Sequence, residues 1–197
     1  MGAVGSRESF FNAGFDVLAE LGYGGLKLAE VCQRLGVTSG SFYHYFPSKE
    51  AYGCALLEDF VTEYGTRLDG SLTHPAWDAR ARLLAYFADW QRKQVSPDPA
   101  ERCLIVKLSA EIADLSPDMS RILRDGVESI TGRLAATLRE GLADGSIAAI
   151  DDPEATAEAI YHLWLGASLV ASLAHDDAAL AAAMRTTKRL VPPGPSA

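Results

Sequence analysis

The chain has 197 residues, of which 48% are apolar, and carries a formal net charge of -8. That length can enclose one small and one larger core, and the acidic balance excludes a protein that coats nucleic acid through a broad basic surface. Three cysteines, Cys32, Cys54 and Cys103, without close or metal-type spacing exclude a disulfide framework and a zinc site, and the lack of a secretory-type opening or of about eighteen consecutive apolar residues points to a cytoplasmic protein with no membrane partner.

The first element expected is a helix from Ser6 to Leu21, with Phe10, Phe11, Ala13, Gly14, Val17, Leu18 and Leu21 on a broad apolar face, closed by Gly22-Tyr23-Gly24-Gly25. Leu28, Val31, Cys32 and Leu35 then recur at i, i+3, i+4 and i+7, one face of a short helix. Gly36 follows directly, where positive φ without a Cβ clash lets the chain turn and sends Val37 back toward the core. Thr38 or Ser39 is placed to cap a second short helix, Ser41 to Tyr45. Two helices joined by a tight glycine turn form a helix-turn-helix, whose second helix enters the major groove of DNA. Cys32 is small where the two helices approach, Phe42 is the apolar plug, and Ser39, Gly40, Ser41, Tyr43 and His44 face outward as short or amphipathic donors for bases and phosphates. Pro47-Ser48-Lys49-Glu50 starts the next helix with Ser48 as cap, and a helix start beside Lys49 suits a phosphate. Residues 1–50 hold four cations (Arg7, Lys27, Arg34, Lys49) against five anions, a balance of -1, so DNA binding would rest on a few placed contacts and weaken with salt.

Beyond this pair the pattern continues as helices: 48 to about 69, Pro75 to about Val95 with Leu83, Leu84, Phe87 and Trp90 inward, 101 to about 114 after the Ser96-Pro97-Asp98-Pro99 turn, and Ser116-Pro117 to about Leu142. Asp144-Gly145-Ser146 breaks the last of these. Asp151-Asp152-Pro153-Glu154 starts a helix running to about Ala174, with an acidic cap and proline in the first turn. His175-Asp176-Asp177 interrupts it, a final helix runs to Arg189, and a loose proline-rich tail follows. Neither strand nor internal repeat is expected. The fold class is all-α: an N-terminal helix-turn-helix domain plus a C-terminal helical bundle, about nine helices in all. The first domain spans 1–50, extending to about 65 with the linking helix, and 51–197 senses a ligand and dimerises.

Ile160, Leu163, Trp164, Ala167, Ala171 and Ala174 lie near helical register on the penultimate helix, and Gly166, Ala167 and Ser168 are small enough to admit another helix. The stripe is read as a homodimer seam built from the last two helices, the alternative being intramolecular core. A single short recognition helix reads few base pairs, whereas a twofold dimer reads two half-sites.

The block GSFYHYFPSKEAYGCALLE resembles the recognition-helix block of the tetracycline-repressor (TetR) family, with its glycine, aromatic triplet, Phe46 and Ser48-Lys49-Glu50. The resemblance implies that Tyr43 and His44 contact phosphate or a thymine methyl, Lys49 a phosphate, and Ser39, Gly40 and Ser41 the bases of a double-stranded operator; Lys27 and Thr38 complete the expected contact set. Two positions depart from the family pattern. Leu26 stands where Thr or Ser is common, leaving any capping to Gly25, and Ser39 stands where lysine is common.

Cys103 follows the Pro97/Pro99 turn and is expected in the first turn of its helix, where the helix dipole, Arg102 and Lys107 would favour the thiolate. The alternative is a cysteine buried as a small hydrophobe. RCLIVKLSAEIADLSPDM, with YHLWLGASL at Tyr161 to Leu169, resembles the N-ethylmaleimide-repressor (NemR) branch of the same family. That resemblance implies a repressor that leaves DNA when an electrophile modifies Cys103. Cys32, in the tight helix-turn-helix core, and Cys54, on the linking helix, are expected to be structural by their placement. Tyr86, Trp90, Lys107, Glu111, His162 and Trp164 are the candidate lining of a pocket for a small-molecule effector. A repressor gated by a noncovalent metabolite stays open beside it. No Ser/His/Asp arrangement, HExxH, phosphate-binding glycine loop or paired carboxylates are found, and His44, His74, His162 and His175 are scattered, so neither an enzyme nor a cofactor nor a metal is expected.

Overall fold

Side-chain caps start most of the helices. Ser6, Ser48, Asp78, Ser116 and Asp152 accept backbone N–H bonds from Ser9 (3.2 Å), Ala51 (3.0 Å), Ala81 (2.7 Å), Met119 (3.3 Å) and Ala155 (2.9 Å), each satisfying a donor that has no partner inside its own helix. The computed structural model describes residues 5–112 and 115–195, and among them the fold is all-α. The helices are α1 (Arg7–Gly25), α2 (Leu28–Leu35), α3 (Ser39–Tyr45), α4 (Lys49–Leu72), α5 (Ala79–Gln94), α6 (Leu104–Ile112), α7 (Pro117–Asp144), α8 (Pro153–Ala174) and α9 (Ala178–Leu190), with a 3-10 turn at Pro99–Glu101.

Several expectations shift. α3 begins at Ser39 rather than Ser41. α5 begins at Ala79 rather than Pro75, because the Asp78 carboxylate captures the first turn. The 3-10 turn, capped by Asp98, takes up the start expected for α6, so Cys103 precedes that helix; its expected end near 114 lies outside the described residues. The tail is not loose as far as Gly194: Ala148 N–H donates to Pro192 O (3.0 Å), Gly194 N–H to Ser146 O (2.9 Å) and Arg80 Nε to Val191 O (2.9 Å).

The chain forms two compact units, residues 1–62 with 98–124 and residues 63–97 with 125–197. The core of the first holds Phe10, Val17, Leu18, Leu26, Val31, Phe42, Phe46, Tyr52 and Leu56, joined by Ile105, Leu108, Ile112 and Met119. α1 and α4 touch at Gly14, where a Cβ would lie 2.2 Å from the Tyr52 hydroxyl, which donates to Phe10 O at 2.5 Å. The second unit closes α8 on α9 and α5 around Phe87, Trp90, Ile160, Tyr161, Trp164 and Leu180. Its two buried indoles have their donors satisfied, Trp90 Nε1 by Ser168 Oγ (3.0 Å) and Trp164 Nε1 by Thr187 Oγ1 (2.9 Å).

The stripe read as a dimer seam faces inward instead. Ile160, Trp164, Ala167 and Ala171 are buried within their own chain, Leu163 is half-buried and Ala174 is exposed. The outward face of α8 carries Leu169 (55% exposed), Val170 (52%) and Leu173 (76%). Apolar residues on both faces give α8 the length and mean hydropathy of a membrane-crossing helix, although Glu154, Glu158 and His162 interrupt it and one side is core.

Candidate nucleic-acid interface

The turn between α2 and α3 is built as its glycine requires. Gly36 sits at φ 65°, ψ 30°, its N–H donating to Gln33 O (3.1 Å) and the Val37 N–H to Cys32 O (3.0 Å), which closes the helix end with two bonds. Val37 is half-buried. Cys32 is buried with its Sγ 3.9 Å from Thr38 O, and burial pushes its thiol pKa up. The side-chain caps expected here are absent: the N-cap positions, Lys27 ahead of α2 and Thr38 ahead of α3, make no side-chain cap bond, while Leu26 is core and Gly25 does not cap α2.

α3 is held chiefly by one buried side chain, with Tyr45 also resting on Phe10 (5.9 Å between centroids). Phe42 is its single buried residue, packed edge-on against Phe10 (5.7 Å between centroids) and Tyr52 (5.1 Å) and tilted against Phe46 (5.4 Å). With that face fixed, Thr38, Ser39, Gly40, Tyr43 and His44 are exposed and Ser41 is half-buried, so the expected contact residues share one accessible helix. Tyr45, 40% exposed and 4.9 Å from the His44 ring, joins them; its place at the end of the aromatic triplet could have marked it.

Charge on this surface is sparse. Arg34 lies between Glu20 (2.7 Å) and Glu30 (2.9 Å), and it holds the Glu20 carboxyl below the usual carboxylate range. Lys27 and Lys49 are exposed. Lys49, first residue of α4, has its ammonium 4.6 Å from the centroid of the Tyr23 ring. Sequence reading missed Tyr23, since cation and ring are far apart in the chain.

Cys103 is half-buried just ahead of α6, and its carbonyl accepts the Lys107 N–H at 3.4 Å, so Lys107 stands one turn on. Lys107 and Glu111 belong to the same compact unit as α1–α3, and both grip α1: the Lys107 ammonium donates to Ala19 O, and Glu111 Oε2 accepts the N–H of Tyr23 (2.9 Å) and of Gly24 (3.2 Å). Tyr86, Trp90 and Trp164 lie in the other unit and come together with Phe87 and Tyr161 as one aromatic cluster. The Tyr86 hydroxyl is 2.7 Å from that of Tyr64. His162 is exposed on α8 and meets this cluster at its edge, its ring centroid 6.5 Å from that of Tyr161. The Cys54 thiol on α4 is pushed up by burial and by Asp118, Glu50 and Glu58. Among the described residues no group of three His, Cys, Asp or Glu is arranged for a metal ion.

Comparison with known proteins places this geometry. Residues 10–51 match the family described as bacterial regulatory proteins, tetR family, and residues 79–187 the tetracyclin repressor-like C-terminal domain. The HTH-type transcriptional repressor NemR of Escherichia coli (strain K12) is 33% identical over 186 residues, 94% of each chain. The transcriptional regulator AcuR of Cereibacter sphaeroides is 32% identical over 168 residues, 85% of this chain and 77% of the relative. The crystal structure of E. coli NemR in its reduced form superposes with a TM-score of 0.91 at 34% identity, covering 97% of this chain and 98% of that one.

Proposed function

The chain belongs to the tetR family of bacterial regulatory proteins, and on that premise we propose that it is a dimeric repressor, released from a palindromic operator when an electrophile modifies Cys103. It is a DNA-binding transcriptional regulator and not an enzyme. The observation that carries the reading is α3, a short helix whose one buried residue is Phe42 and which presents Ser39, Gly40, Ser41, Tyr43 and His44 to a groove with Lys49 at the next helix start. Ser39, Gly40 and Ser41 read base edges, Tyr43 and His44 meet phosphate or a thymine methyl, and Lys27, Thr38 and Lys49 fix the register on the backbone.

The outward apolar face of α8, Leu169, Val170 and Leu173, supports a homodimer, which sets two recognition helices about 35 Å apart, one turn of B-DNA. Covalent change at Cys103, directly ahead of α6, favours a packing in which that separation is lost and transcription resumes. The modifier acts only by stabilising one state over the other, and a difference of about 5 kcal/mol is enough to invert the populations. The protein works in the cytoplasm, where a thiol stays reduced until it meets an electrophile.

Two arms test this. A DNA duplex is selected from a random pool by the wild-type protein, and its affinity is measured before and after N-ethylmaleimide. Cys103→Ser keeps the affinity and ignores the reagent. A response as strong as that of the wild type overturns the thiol reading and leaves a noncovalent effector, held near the Tyr86–Trp90–Trp164 cluster with Cys103 structural.

A further inference from the structure

We propose that α6 sets operator affinity through Tyr23: Lys107 and Glu111 hold the end of α1 so that the Tyr23 ring steadies the Lys49 ammonium for a DNA phosphate. Tyr23 and Glu111 are then positioning residues for an operator contact. The proposal rests on the reading of Lys49 as a phosphate ligand given above.

α1 breaks at Gly22, whose φ of 71° and ψ of -175° fall in a region that only glycine occupies readily. A break leaves unmatched backbone groups on both sides of it. On the near side Ala19 presents a carbonyl at a helix C-terminal end, where a cation is favourable, and Lys107 supplies one. On the far side Tyr23 and Gly24 open a new turn with their N–H groups exposed as donors, and the Glu111 carboxylate takes both through one oxygen. A Cβ on Gly22 would lie 2.4 Å from Glu111 Oε1, so the carboxylate fills the place of a side chain. α6 therefore caps both stumps of the broken helix with charges of the sign each prefers.

The residue so held is Tyr23. The residue is 9% exposed and its ring packs beside Gly53, where a Cβ would meet Tyr23 Cε2 at 2.9 Å and Met119 Cε at 2.4 Å. Backbone and ring are thus both fixed, and the ring supports the Lys49 ammonium at 4.6 Å. A long lysine side chain otherwise samples many rotamers, so steadying it lowers the entropic cost of meeting a phosphate. All of these residues lie in one compact unit, with Cys103 one turn before Lys107. A shift of α6 thereby reaches Lys49 without leaving that unit.

The test measures affinity for the selected duplex across a salt series in Lys49→Met, Tyr23→Leu, Tyr23→Phe, Glu111→Gln and the doubles with Lys49→Met, each variant checked for native helical circular dichroism. Tyr23→Leu weakens binding about two- to fivefold per protomer and flattens the salt dependence in the same sense as Lys49→Met, which removes about one phosphate contact per protomer. Tyr23→Phe, keeping the ring, restores affinity. Glu111→Gln, nearly isosteric and uncharged, gives a smaller loss of the same kind, and in the Lys49→Met background neither substitution weakens binding further. Losses that multiply with Lys49→Met, or a harmless Tyr23→Leu beside a damaging Lys49→Met, overturn the proposal alone. A harmless Lys49→Met overturns the phosphate reading on which it rests.

Discussion

Replacing Gly22 by alanine isolates the cost of the α1 break. The added methyl forces an L side chain into a backbone region that costs about 1–3 kcal/mol for a non-glycine residue, and it places Cβ 2.4 Å from Glu111 Oε1 and 2.9 Å from Oε2. The carboxylate must retreat, weakening its bonds to Tyr23 and Gly24. A hydrogen bond to a charged group is worth about 1.5–3 kcal/mol, and counting one rather than two allows for the exposure of the Gly24 bond. Reduced entropy of the unfolded alanine chain returns about 0.4–1 kcal/mol. Gly22→Ala should therefore destabilise by about 3 kcal/mol, and a urea slope of about 1–3 kcal/mol/M for small proteins turns that into a midpoint lowered by one molar or more. Circular dichroism is the appropriate probe, because Trp77, Trp90 and Trp164 all belong to the other compact unit. In a Glu111→Ala background the same substitution should cost only its backbone part. Independent addition of the two losses, or a loss under about 1 kcal/mol in the single variant, refutes the steric argument.

Two further outcomes test the second unit. Leu173→Asp, at a site 76% exposed, should change chain stability by less than about 0.5 kcal/mol yet shift the protein from dimer to monomer in light scattering; a dimer that persists places the interface elsewhere. Asp144 accepts the N–H of Ser146 (2.8 Å) and Ala79 (3.2 Å), and hydrogen bonds chiefly from Ser146 hold its carboxyl below the usual range. A carboxylate lowered on folding contributes stability that is present above its unfolded value of about 3.9 and lost as pH falls through the lower folded value, so Asp144→Asn should show a shallower decline in urea midpoint between about pH 5 and 3. An unchanged slope refutes it.

Local chemistry made most helix limits readable. Gly36, Ser48, Ser116 and Asp152 act on groups three to five residues away, so their roles follow from the sequence itself. Phe42 was legible for the same reason, as the one apolar residue that α3 could bury. The facing of α8 was not. Ile160 and Trp164 mark one apolar stripe and Leu169 and Leu173 another, and helical period says that both exist without saying which meets α9. The grip of Lys107 and Glu111 on α1 was not legible for a related cause: their partners, Ala19, Tyr23 and Gly24, lie some ninety positions earlier, and the demand for those charges arises only once α1 has broken at Gly22. The proline-rich tail misled in the same way, since Ser146 and Arg80, which pin it, are distant in sequence.

Charge counting in the first fifty residues also misses what decides the interface. Arg34, one of four cations there, is enclosed by Glu20 and Glu30 and is a brace between α1 and α2 rather than a DNA ligand. An acidic protein whose reading head keeps so few available cations gains little affinity from a general attractive field, and each phosphate contact then depends on how well its side chain is held beforehand. That condition is what the proposed support of Lys49 by the Tyr23 ring would meet. In a strongly basic head, neighbouring lysines would substitute for a wandering one; here a misplaced Lys49 has few understudies. The same scarcity would make the proposed Lys49 contact a sensitive place to act on, because a small movement of α6 that leaves every helix intact would withdraw one of few exposed cations.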